Sequence, residues 1–207
     1  MDKKPTPEKQ EQKEVVPFSI NIPNTLTLLR ILLTPLFVIF LLKHEYGHAL
    51  AVFVVAGITD GLDGAIARYR NQRTVLGAFL DPIADKLLIA SAFACLAVLR
   101  IGPSWLAVIV ISRDVVIFLG VAIFGIFHID FAVRPARISK VTTCLQLFTA
   151  FLVLIDPTHD TMFTIKYILY WTTACLTILS GLHYLYLGVS ILQSALEEDE
   201  NGTGKSA

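Results

Sequence analysis

Apolar residues run in blocks of about twenty along most of this 207-residue chain, separated by short polar connections. About twenty residues is what a helix needs to cross the hydrocarbon layer of a bilayer. Six blocks can be marked: Pro23–Leu42, Ala49–Arg68, Gly77–Leu99, Ser104–Phe127, Ile138–Ile155 and Ile165–Leu192. They predict an all-α fold, an integral membrane bundle of six transmembrane helices. Val15–Ile22 is a short amphipathic lead-in, expected to lie along the membrane surface as an N-terminal interfacial segment. Residues 1–14, rich in Lys, Gln, Glu and Pro, and residues 194–207, acidic and then small and polar, bury too little apolar surface to order themselves. They are expected to be disordered cytosolic tails, leaving 15–193 as one membrane domain.

Composition sharpens this reading. With 55% hydrophobic residues and 17 basic against 17 acidic side chains, the chain is too apolar for a soluble domain of its size. It has no net basic field to suggest a nucleic acid partner. The start, MDKKPTPEKQEQKE, lacks the adjacent apolar run and cleavage site of a secretory signal. Cys95, Cys144 and Cys175 stand singly in apolar blocks and read as filler. The basic residues are unevenly shared: Lys3, Lys4, Lys9, Lys13, Arg68, Arg70, Arg73, Arg134, Arg137 and Lys140 fall on one side, and Lys43, Arg100 and Lys166 on the other. By the positive-inside rule the first side, with both termini, is expected to be cytoplasmic.

The second and third blocks break the apolar pattern with four aspartates. A carboxylate in hydrocarbon costs roughly 2.5–3.5 kcal/mol on insertion scales, which makes each one a candidate for function. Asp60, Asp63, Gly64 and Ala67 are spaced i, i+3, i+4, i+7, and Gly77, Asp81 and Asp85 are spaced i, i+4, i+8. Each set falls on one face of a helix. Helix capping accounts for one carboxylate per helix start, not for a stripe on each of two helices. If the two helices are antiparallel neighbours, the stripes share a pocket where four carboxylates would repel unless a divalent cation, or two, sat among them. Oxygen-only ligands favour Mg²⁺ or Mn²⁺ over Zn²⁺. Two such ions about 3.5–4 Å apart are a common clamp for displacement at phosphorus.

The pattern Asp60-x2-Asp63-Gly64-x2-Ala67-Arg68-x8-Gly77-x3-Asp81-x3-Asp85 resembles the signature of the CDP-alcohol phosphatidyltransferase family at every fixed position. The resemblance implies an enzyme that displaces CMP from a CDP-linked lipid such as CDP-diacylglycerol by means of an alcohol. It implies two metal ions on Asp60, Asp63, Asp81 and Asp85, and Asp85 as the base that takes the proton of the attacking hydroxyl. It also implies that Asp60, Gly64, Ala67, Arg68 and Gly77 hold the CDP moiety, and that the protein is a homodimer. Gly64 and Gly77 also suit close helix packing, and Arg68 also reads as a flanking charge.

Further polar residues lie in the apolar blocks. Arg113, about ten residues into the fourth block, needs a partner at that depth. Asp114, its neighbour in sequence, is expected to point elsewhere on the helix. Arg113 reads either as half of an ion pair across the bundle or, with Arg137 and Lys140, as a subsite for the phosphate of the acceptor. Asn24, Thr27 and Arg30 form a polar stripe in the first block, suited to capping and backbone bonding or to contact with the lipid substrate. The segments Ile111–Val115 and Ile138–Thr143 resemble CMP-forming cardiolipin synthases more than typical phosphatidylglycerophosphate synthases. The latter usually have Glu where Asp114 stands and a further Arg on that helix. Both acceptors, phosphatidylglycerol and glycerol 3-phosphate, stay open. The alternative from a different class is a divalent-cation transporter or channel, which would spread acidic groups through the membrane depth instead of gathering them beside Arg68.

Overall fold

The computed structural model describes residues 22–70, 75–126, 137–157 and 162–203, with side chains for 25–61, 83–124, 138–157 and 162–193. The apolar blocks form six helices: α1 Ile22–Leu42, α2 Tyr46–Arg70, α3 Val75–Val98, α4 Ser104–Ile126, α5 Arg137–Ile155 and α6 Phe163–Thr203. The expected all-α bundle is what the chain forms. Two boundaries differ from expectation by more than two residues. α2 begins at Tyr46, earlier than Ala49, and α6 continues to Thr203 through residues expected to form a disordered tail. That extension opens with Ser-Ala-Leu-Glu-Glu, good helix formers for the most part, and prolonging an existing helix needs no new nucleus. Residues 1–14 and the lead-in as far as residue 21 lie outside the described residues.

Among the described residues four helices are long and apolar enough to cross a membrane, over Thr25–Leu42, Ser104–Phe124, Ile138–Ile155 and Phe163–Gln193. Among the described residues α2 carries a shorter apolar run, Tyr46–Gly61. The outer surface is apolar: Leu32, Val108, Phe118 and Tyr186 are 63%, 64%, 67% and 77% exposed. So extensive an apolar exterior suits hydrocarbon and not water, and the helices satisfy their own backbone polar groups, as a bilayer demands. The protein is an integral membrane helical bundle.

α1 packs on α2 and α3, α3 meets α4, α6 holds α4 and α5, and α2 reaches α5. At the α1–α2 contact the rings of Phe37 and Phe53 lie 5.5 Å apart. Ala49, Ala56, Ala92, Ala107, Ala150 and Ala174 are buried around them. Small residues let the helices approach where there is no water to drive them together. Both α1 and α3 end in the same way. His44 and Arg100 take the left-handed conformation, each at φ 58°. In each case the next amide reaches back five residues, Glu45 N–H to Phe40 O and Ile101 N–H to Leu96 O, which satisfies a carbonyl left open at the helix end.

A polar seam joins α5 to α6. The Gln146 amide donates to Thr177 Oγ1 at 3.0 Å, Thr149 and Thr173 share a hydrogen bond of 2.7 Å, and Thr142 donates to the Ile138 and Leu176 carbonyls. Bonds of this kind are worth about 0.6 kcal/mol each between membrane helices. At the far end of the seam Lys166 binds the carboxylate of Asp156 at 3.0 Å and also its carbonyl. The Trp105 and Trp171 rings lie 5.2 Å apart, tilted by 38°.

Candidate active site

Asp60 stands ten residues before the end of α2 at Arg70, and Asp85 ten residues after the start of α3 at Val75. The two helices are joined by the short connection 71–74 and both pack on α1. Each carboxylate lies about 15 Å along its helix from the end nearest that connection. They stand within electrostatic reach of each other, so α2 and α3 bring one aspartate each to a common region. Arg30, Lys86 and Asp114 act on Asp85 as well, which adds α1 and α4 to the same neighbourhood.

Arg30 enters from α1. Its Nη1 lies 2.6 Å from Asp60 Oδ1, and its side chain is fully buried while that of Asp60 is 41% exposed. The pair therefore has a closed side and an open one. Thr27, one turn earlier, is fully buried too. Of the first-helix stripe, then, Thr27 and Arg30 face the protein, and Arg30 holds a carboxylate. The side chain of Asn24 lies outside the described residues. So do those of Asp63, Gly64, Ala67, Arg68, Gly77, Asp81 and Arg137.

The second cluster centres on Arg113. The expectation that Asp114 points away from it is corrected: Arg113 Nη1 donates to Asp114 Oδ1 at 2.6 Å. The long guanidinium stem swings sideways to reach its neighbour, which the backbone spacing alone does not reveal. Arg113 Nη2 donates to Ser139 on α5 at 2.6 Å and to Ser180 on α6 at 3.0 Å. Lys86 Nζ on α3 donates to the same Asp114 oxygen at 2.5 Å. One guanidinium so links α4, α5 and α6, Asp114 adds α3 through Lys86, and both terminal nitrogens of Arg113 are occupied within the protein. Lys140, next to Ser139, is exposed. Sequence reasoning missed Lys86, Ser139 and Ser180. Lys86 directly follows an aspartate in a polar run, and that was the available signal.

The donor set around Asp60 and Asp85 is oxygen only, with a partly exposed carboxylate on each of two helices. That chemistry fits a hard divalent cation. Among the described residues no three His, Cys, Asp or Glu side chains gather into a metal cage. Asp63 and Asp81, on the same helices, have no described side chains.

Comparison with known proteins gives this geometry a context. The sequence model of the CDP-alcohol phosphatidyltransferase family matches residues 20–179. A human protein named cardiolipin synthase (CMP-forming) is 34% identical over 189 residues, which cover 83% of this chain and 63% of the human protein. This chain therefore spans less than two thirds of that relative's length. A Bacillus subtilis protein named CDP-diacylglycerol--glycerol-3-phosphate 3-phosphatidyltransferase is 30% identical over 182 residues, 79% of this chain and 93% of that protein. A Mycobacterium tuberculosis protein named probable phosphatidylglycerophosphate synthase is 34% identical over 172 residues, 80% of each chain.

Proposed function

The chain belongs to the CDP-alcohol phosphatidyltransferase family, and from that premise we propose that it transfers a phosphatidyl group from CDP-diacylglycerol to a glycerol-type acceptor in anionic phospholipid synthesis, releasing CMP. The observation that carries this reading is that Asp60 and Asp85, from two helices, lie within electrostatic reach of each other beside Arg30 and Lys86. The family match leaves the cation-path alternative without support.

Asp60, Asp63, Asp81 and Asp85 are the residues that would hold two Mg²⁺ or Mn²⁺ ions. Bound there, such ions neutralise the pyrophosphate and make CMP a better leaving group. Arg30 orients Asp60, its buried guanidinium fixing one carboxylate oxygen and leaving the exposed side free. Asp85 accepts the proton of the acceptor hydroxyl as the oxygen attacks the phosphatidyl phosphorus and the bond to CMP breaks. Gly64, Ala67, Arg68 and Gly77 line the place of the CDP moiety. Arg137 and Lys140 contribute to the acceptor phosphate subsite. Arg113 supports them from beneath, fastening Ser139 at the start of α5.

The acceptor is phosphatidylglycerol, giving cardiolipin, or glycerol 3-phosphate, giving phosphatidylglycerophosphate. Relatives with both names match the chain at similar identity. The active site is assigned to the cytoplasmic face, where the basic flanks gather, and the protein to a homodimer, whose mass in detergent checks the assignment. Purified protein incubated with CDP-diacylglycerol and Mg²⁺ or Mn²⁺ should release CMP when one of the two acceptors is supplied. Release with neither would overturn the proposal.

A further inference from the structure

Lys86 has no part in the reaction as described so far. Its ammonium and the guanidinium of Arg113 share a single oxygen of Asp114, at 2.5 and 2.6 Å. Two cations on one carboxylate leave the trio with one positive charge in excess. Arg113 cannot present that charge, because its side chain is 3% exposed and its second terminal nitrogen is spent on Ser139 and Ser180. Lys86 can, since its side chain is 38% exposed and an ammonium has three donors, of which Asp114 takes one. Lys86 so keeps donors that the oxygens of a bound anion can take.

The position of Lys86 narrows which anion. It directly follows Asp85 in the chain and lies within electrostatic reach of that carboxyl. Both candidate acceptors carry their attacking hydroxyl three carbons away from a phosphate. A cation beside the base would seat the phosphate while the hydroxyl reaches Asp85. We propose that Lys86, positioned by Asp114, binds the phosphate of the acceptor alcohol, whether a free phosphate monoester or the phosphodiester of a lipid headgroup. The inference rests on the proposed function and adds a substrate-binding residue to it.

Steady-state kinetics in mixed micelles test it. For whichever acceptor the wild type uses, Lys86→Gln should raise the acceptor KM about tenfold or more, the scale of a lost charge-assisted hydrogen bond, and leave the KM for CDP-diacylglycerol within about twofold. Lys86→Arg, which keeps the charge, should recover most of the loss. Running glycerol 3-phosphate and phosphatidylglycerol as separate arms tells the two phosphate sources apart. Inorganic phosphate adds a check on unaltered protein: it should compete with the acceptor and not with CDP-diacylglycerol. An unchanged acceptor KM in Lys86→Gln, or a rise confined to CDP-diacylglycerol, overturns the assignment. Should Lys86→Gln fail to fold, competition of inorganic phosphate with CDP-diacylglycerol alone overturns it in the wild type. A wild type that releases no CMP with either acceptor fails at the proposed function itself, and the subsite falls with it.

Discussion

Two buried arginines divide the polar interior between them. Arg30 on α1 pairs with the carboxylate of Asp60, whose side chain is 41% exposed. Arg113 on α4 is enclosed by Asp114, Ser139 and Ser180 and ties α5 and α6 to α4, with Lys86 adding α3. Both answer the cost of a cation in hydrocarbon. The difference lies in what is left over: the Arg30 side keeps a partly exposed carboxylate for chemistry, whereas Arg113 spends both terminal nitrogens on holding helices and only Lys86 of its cluster stays partly exposed. Function is therefore expected to be sensitive to the first cluster and folding to the second.

The sharpest way to break that division is to remove a carboxylate from the open side. Asp85→Asn keeps shape and hydrogen-bonding capacity but no base, and should cut CMP release by about 10²–10⁴-fold, the typical share of general base catalysis. Its thermal unfolding in detergent should stay close to wild type. A variant that turned over normally would remove the base assignment. On the closed side, Arg113→Ala strands Asp114 and opens a gap among four helices. Losing one partner of a buried pair costs about 3–5 kcal/mol, so this variant should unfold at a markedly lower temperature or fail to accumulate. If it stayed as stable as wild type and lost only activity, the closed cluster would have to be read as substrate-binding.

The same contrast shows what could be read from residues alone. Six apolar blocks announced six helices because the bilayer demands long apolar runs, and the helical spacing of the aspartates put Asp60 and Asp85 on matching faces. The partners of Arg30 and Arg113 were not legible. They depend on which helices neighbour one another, and periodicity within a single helix carries no information about that. The pairing of Arg113 with Asp114 was misjudged for a related reason. Backbone geometry separates consecutive residues on a helix, and a long flexible side chain undoes the separation. The extension of α6 past residue 193 was missed because acidic composition was weighed above helix propensity.

Smaller effects refine the comparison. Arg30→Gln should cost less stability than Arg113→Ala, because the carboxylate it strands, Asp60, is 41% exposed whereas Asp114 is buried. It should nevertheless weaken Mn²⁺ binding, read by calorimetry without any turnover. Unaltered Mn²⁺ affinity would make Arg30 a packing residue only. Ser180→Ala removes one of the bonds to Arg113 while Ser139 and Asp114 remain. It should lower stability by about 1 kcal/mol with kinetics unchanged. A larger kinetic effect than stability effect would blur the line between the clusters.

The central claim is that carboxylates on α2 and α3 act together on a phosphate-bearing lipid through a divalent cation. Its most direct test is CMP release by the purified protein in phosphatidylglycerol vesicles containing CDP-diacylglycerol and supplied with glycerol 3-phosphate, with Mg²⁺ or Mn²⁺ present and then removed by chelation. The account predicts release that stops on chelation, returns when metal is restored, and is absent in Asp85→Asn. Release that continued without metal, or that survived loss of the Asp85 carboxylate, would contradict it.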